Sequence, residues 1–131
     1  MDLKRALKAQ YHAGLQMLRE TIENCPDEVW VGGEHPRNPW RIAYHVLFYT
    51  HLYLQTREEA FVPWERHREH VPNLWEDDDP PPPVEEPYTK AAMLEYLAHV
   101  DERVDGWVDL LDLDSQESGF HWYSIPKLDH Q

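Results

Sequence analysis

Asn38-Pro39-Trp40-Arg41-Ile42-Ala43-Tyr44-His45-Val46-Leu47-Phe48-Tyr49-Thr50-His51-Leu52-Tyr53-Leu54-Gln55 is the stretch that decides the fold. Asn38 is a good helix N-cap, and Pro39 suits the first helical position, where its missing N–H costs nothing. No Gly or Pro interrupts the run from there to Gln55. Trp40, Ile42, Ala43, Val46, Leu47, Tyr49, Leu52 and Tyr53 spread apolar bodies over most of the circumference, which predicts the central member of a helical bundle. His45 sits in the middle, with Arg41, Phe48 and Leu52 on its own face at helical spacing. An imidazole in that setting is either a satisfied core histidine or a ligand. His51 lies six residues further on, about 120° around the helix, so one metal ion is not easily held by both. It reads as a polar or interhelical residue.

Working outward, residues 2–24 predict a first helix. Leu3, Leu7, Tyr11, Leu15, Leu18 and Ile22 form its stripe, Asp2 caps it, and Cys25-Pro26 ends it. His12, at the edge of that stripe, reads as an ordinary boundary residue. In the connection that follows, Trp30 is expected under the core, Gly32-Gly33 in a turn, and His35 exposed. Residues 60–88 form a long charged and aromatic strap in which Pro80 to Pro83 impose an extended run. His67 and His70 would share a face if a helical turn formed there, and Trp64 and Trp75 would pin the strap to the bundle. Asp77-Asp78-Asp79 lacks the spacing of a calcium loop. Thr89 caps a third helix reaching Leu111, with His99, Asp101, Glu102 and Asp105 on a solvated face. Phe120-His121-Trp122-Tyr123 is expected to pack back on the bundle, and Ser124 to open a short fourth helix. Three amphipathic helices and a stub leave a groove, which a second copy would fill.

The chain has 131 residues, enough for one domain, 1–131, with one core. Six Trp and seven Tyr supply large burial per residue. The formal net charge of −13 argues against a nucleic-acid partner and against an anionic lipid surface. A single cysteine, Cys25, forms no intrachain disulfide. Without a basic leader or a long apolar run, the expectation is a cytoplasmic protein with no membrane segment. Cys25, before a proline and with no base nearby, makes a poor nucleophile, and there is no Gly-x-Ser-x-Gly elbow.

The connection Cys25-Pro26-Asp27-Glu28-Val29-Trp30, the run from Asn38 to Tyr49, Glu86-Pro87-Tyr88-Thr89-Lys90, and Gly119-Phe120-His121-Trp122-Tyr123 with Ile125-Pro126-Lys127-Leu128 together resemble the DinB-like (DinB/YfiT) superfamily. Trp40 and His45, as Trp-x-x-x-x-His, carry the most specific part of a likeness that spans nearly the whole chain. The resemblance implies an all-α four-helix bundle in up-down-down-up order. It also implies a divalent metal, often Ni²⁺ or Zn²⁺, held by one His on helix two and a His-x-x-x-His pair on helix four. His45 matches the first of these. The pair has no match before Gln131, where the sequence stops, and His130 lacks a partner four residues on. The expectation is therefore a C-terminally incomplete member with a reduced fourth helix and His45 as its remaining metal ligand.

Characterised relatives in that superfamily look like thiol-dependent S-transferases or isomerases that use low-molecular-weight thiols. The implied function is thus a metal-dependent thiol transferase acting on a small-molecule substrate. The alternative is a non-catalytic bundle that binds a small ligand or forms a homodimer. His45 as a metal ligand would need an acceptor on its other ring nitrogen, for which Tyr11, His12 and Tyr44 are the candidates.

Overall fold

Leucines and aromatics at helical spacing, closed by caps and prolines, become helices as their pattern requires. In the computed structural model, which describes residues 2–75 and 80–131, the helices are α1 (Leu3–Asn24), α2 (Asp27–Trp30), α3 (Pro39–Tyr53), α4 (Lys90–Asp101), α5 (Val104–Leu110) and α6 (Lys127–His130). Among the described residues the only other regular element is a 3-10 turn at Glu58–Ala60. The fold is all-α, and no described helix is long and apolar enough to cross a membrane. The acidic triplet Asp77-Asp78-Asp79 lies outside the described residues.

Two of the expected caps form. The Asp2 carboxylate accepts from the Arg5 N–H at 3.1 Å, and the Thr89 hydroxyl accepts from the Ala92 N–H at 3.1 Å. Asn38 does not cap α3 with its side chain. Its amide instead donates to the Gly32 carbonyl at 2.8 Å, holding the preceding turn, in which Gly33 adopts φ +80. The third helix is interrupted at Glu102-Arg103, which separates α4 from α5. The final helix starts after Pro126, not at Ser124.

α4 packs on both α1 and α3, so it, and not α3, occupies the middle of the assembly. α3 buries Trp40, Ala43, Tyr44, Leu47 and Leu52 but leaves Ile42 and Val46, one turn apart, exposed. The core is built from large rings. Tyr44 stacks on Tyr88 at 4.9 Å, Tyr96 leans on Tyr44 at 5.6 Å, and Trp64 lies parallel to Tyr96 at 4.5 Å. Trp30 is buried as expected and donates its indole N–H to the Tyr88 carbonyl at 2.8 Å. Ring on ring burial of this kind gives a short chain its apolar area without many residues.

The segment after α5 is locked to the end of α3 by a buried lysine. Lys127 is 2% exposed, and its ammonium donates to the carbonyls of Gln55 at 2.9 Å and Ser118 at 2.8 Å. Burial lowers its pKa to about 8. Gly119 lies in the same latch with φ +89, and its carbonyl accepts from the Glu58 N–H at 2.9 Å. A β-carbon at this position would stand 2.4 Å from the Thr56 carbonyl oxygen. Gly119→Ala is therefore expected to cost at least about 2 kcal/mol, through both the left-handed backbone and the clash. A urea melt monitored by circular dichroism reads this directly, and an unchanged midpoint would refute the latch.

Candidate functional site

α3 separates two clefts, and each contains one of its histidines. His45 lines the first, a cavity of about 500 Å³ whose other wall is the strap, including His70, Pro72, Trp75 and the prolines 80–83. The His45 ring stands 4.8 Å from Tyr49, and its Nδ1 lies 2.6 Å from the Pro72 carbonyl. A carbonyl oxygen only accepts, so Nδ1 must carry the proton. In the neutral ring Nε2 then holds the lone pair. The acceptor that orients His45 is thus a strap carbonyl. Tyr11, His12 and Tyr44 serve elsewhere: Tyr11 donates to Gln131 at 3.0 Å, and Tyr44 bonds to His67.

What holds the strap over His45 is Arg41, one turn before it. The side chain is fully buried, with Nε donating to the Asn73 carbonyl at 3.1 Å and Nη2 to the His70 carbonyl at 2.6 Å. Nη1 reaches the Pro83 carbonyl at 3.5 Å, so one guanidinium contacts two stretches of the strap, at His70 and Asn73 and again at Pro83. Burial lowers the Arg41 pKa, partly opposed by the charge of Glu85. His35, expected to be exposed, is half-buried and bonds the Pro82 carbonyl at 2.7 Å, adding a second tie. His67 and His70 do not share a face. His67 stacks on Phe48 at 5.1 Å beneath the strap, while His70, with φ 70, turns the chain at the rim of the His45 cavity.

His51 faces the other way, into the α3–α4 interface, where its Nδ1 meets the Tyr96 hydroxyl at 2.8 Å and its ring stacks on Trp107 at 5.0 Å. It is an interhelical residue, as its angular offset from His45 predicts. Burial, together with His99, Arg103 and His67, depresses its pKa to about 4. His12, at the stripe's edge, is more than a boundary residue. Its two nitrogens contact Asp101 at 2.7 Å and Asp105 at 2.8 Å, and these carboxylates raise its pKa. Asp101 and Asp105 therefore belong to an ionic clamp between α1 and the α4–α5 junction, not to a purely solvated face.

The implied three-imidazole metal site is not matched by the donors among the described residues. Among the described residues no group of three or more His, Cys, Asp or Glu side chains is placed to share one ion. His45 is suitably oriented, but among the described residues it is not grouped with two further donors, and one imidazole does not hold a labile divalent cation. Comparison with family models, with curated proteins and with solved structures gave no match.

Two expectations follow from this geometry. Arg41→Met leaves three part-buried strap carbonyls without their donor, and unpaired groups of this kind cost about 1–3 kcal/mol each at most. A loss of roughly 3 kcal/mol in urea denaturation is expected, with strap amides exchanging faster with deuterium than the amides of α1. Equal acceleration in both would show that Arg41 does not act on the strap specifically. The second concerns acid. His51 binds a proton in the unfolded chain below about pH 6.5 but in the folded protein only near pH 4, so its contribution is intact above pH 6.5 and falls as the pH drops. Between pH 7 and 5 the expected loss is about 2 kcal/mol. His12 acts with the opposite sign, stabilising fully below pH 6.5 and fading as the pH rises through its raised value. Denaturation at pH 7, 6 and 5 reads the sum of these contributions, and His51→Asn should lose less stability than the wild type between pH 7 and 5.

Proposed function

We propose that this chain is a DinB-like helical domain, in a four-helix up-down-down-up order, whose working site is the His45 cleft. In this reading the cleft binds a small, flat, largely apolar molecule carrying one hydrogen-bond donor. The observation that carries it is the bond from His45 Nδ1 to the Pro72 carbonyl, which leaves Nε2 as an acceptor in a cleft that Tyr49, Trp75 and the prolines line together with His70 and Asn73. Tyr49 and Trp75 supply ring surfaces, and the carbonyl bond keeps the imidazole from rotating to satisfy itself. A phenol or an indole has the shape and the single donor that this wall would take.

A second reading, metal-dependent thiol transfer, is favoured by the same tautomer, because a ligating histidine commonly donates its other N–H to a carbonyl. It requires further ligands beyond His45, which a second copy of the chain would contribute. The exposed Ile42 and Val46 on the same helix would then lie in a homodimer interface. Bound metal would supply Lewis acidity and hold a thiolate.

Metal content and oligomeric state separate the two. Mass spectrometry of untagged protein, paired with His45→Ala and with sedimentation of both forms, is the first measurement. The expectation is substoichiometric metal in each, together with saturable chemical-shift changes around His45 on titration with phenol that disappear in His45→Ala. One equivalent of metal, lost in His45→Ala, would overturn the ligand-only reading and establish the metal centre.

A further inference from the structure

The second cleft, on the opposite side of α3, has the features of a binding site in its own right. It encloses about 590 Å³ between α3, the α4–α5 junction and the start of the strap. His51, His99 and Arg103 approach it from three positions, and Trp64, Trp107 and Glu65 stand among its lining groups. None of these residues contributes to the His45 cleft, so the inference is independent of the reading given there.

The proton positions are set by burial. Tyr96 is fully buried, and among the described residues His51 is the only hydrogen-bond partner of its hydroxyl. If Nδ1 carried the proton, the buried Tyr96 O–H would have no acceptor, so Tyr96 donates to Nδ1. The remaining proton of the neutral His51 ring then sits on Nε2, as a donor. His99 lies 5.8 Å from His51, ring to ring, and its side chain makes no hydrogen bond among the described residues. Burial, followed by Arg103, lowers its pKa, so both imidazoles are neutral near pH 7. Arg103 spends one N–H on the His99 carbonyl at 2.8 Å, and among the described residues its nearest carboxylate, Glu102, stands at 3.9 Å. Guanidinium donors therefore remain for a ligand. In a chain of net charge −13, this is a local gathering of donors with aromatic walls.

We propose that the cleft bounded by His51, His99, Arg103, Trp64 and Trp107 binds a small aromatic carboxylate. Arg103 takes the carboxylate, His51 Nε2–H and His99 supply neutral donors, and the ring lies along the part of the cleft that Trp107 and Trp64 line. Glu65 opposes the anion and limits affinity, so its removal has a predictable sign.

Benzoate is the probe, with benzamide and benzylamine as neutral and cationic counterparts of the same ring, each titrated into the intact chain by ¹H–¹⁵N NMR. Saturable shifts of the Trp64 and Trp107 indole N–H signals are expected with benzoate, with at least tenfold weaker binding of benzamide. Arg103→Gln should weaken benzoate at least tenfold, Arg103→Lys should recover part of that loss, and Glu65→Gln should strengthen binding severalfold. His45→Ala should leave benzoate affinity unchanged, since that residue belongs to the other cleft. Absence of saturable shifts, equal binding of benzamide, tighter binding of benzylamine, or a Glu65→Gln variant that binds more weakly would each overturn the assignment. Circular dichroism of every variant confirms that the helices remain.

Discussion

The architecture around α3 depends on one buried cation. Arg41 reaches the carbonyls of His70, Asn73 and Pro83, residues that would otherwise belong to a strap with few backbone bonds of its own. A proline-rich segment lacks ladder donors and cannot organise itself by pairing. The planar guanidinium offers several N–H groups in fixed directions, which suits it to collecting carbonyls from two stretches of chain at once. Holding a charge away from water is costly, and the carbonyl dipoles are what offset that cost. Through Arg41 the strap becomes a wall, and through that wall His45 acquires the carbonyl that fixes its proton.

Lys127 repeats the device at the far end of α3. Each of these cations lies next to backbone carbonyls of irregular chain, and each ties a segment rich in turns to a regular helix. Among the described residues no carboxylate side chain is buried, while the buried cations Arg41 and Lys127 face carbonyl oxygen. This division explains how a strongly acidic chain keeps its long connections in place without burying carboxylates. It also places the irregular segments, and not the helix faces alone, at the edges of both clefts.

Histidine chemistry in the molecule divides by partner. His12 lies between two carboxylates and favours its charged form, His51 lies among rings beside a tyrosine hydroxyl and favours its neutral form, and His45 is held by a backbone carbonyl. The same side chain thus acts as an ionic clamp, as an acceptor for a buried hydroxyl and as a donor to a backbone carbonyl. Nothing in the local sequence around these residues distinguishes the roles, because each partner lies at least 27 positions away. The angular offset between His45 and His51 was legible from helical spacing, and so was the interhelical place of His51. The Pro72 carbonyl was not, since a backbone acceptor leaves no mark in side-chain pattern. Arg41 and Arg103 were equally hidden, because an arginine that ends up buried against carbonyls carries the same letter as one in solvent.

By itself, the sequence determined the local structure: the span of α1, the caps at Asp2 and Thr89, the turn at Gly32-Gly33, the apolar run of α3 and the burial of Trp30. These follow from interactions over a few residues, where spacing and backbone preference suffice. Tertiary structure alone decided that α4, not α3, takes the middle, that Ile42 and Val46 stay uncovered, and that the third helix breaks at Glu102-Arg103. It also decided which histidines meet carboxylates, rings or carbonyls. Those outcomes depend on how distant faces share a limited interior and on where buried polar groups find partners, and neither quantity is encoded at any single position.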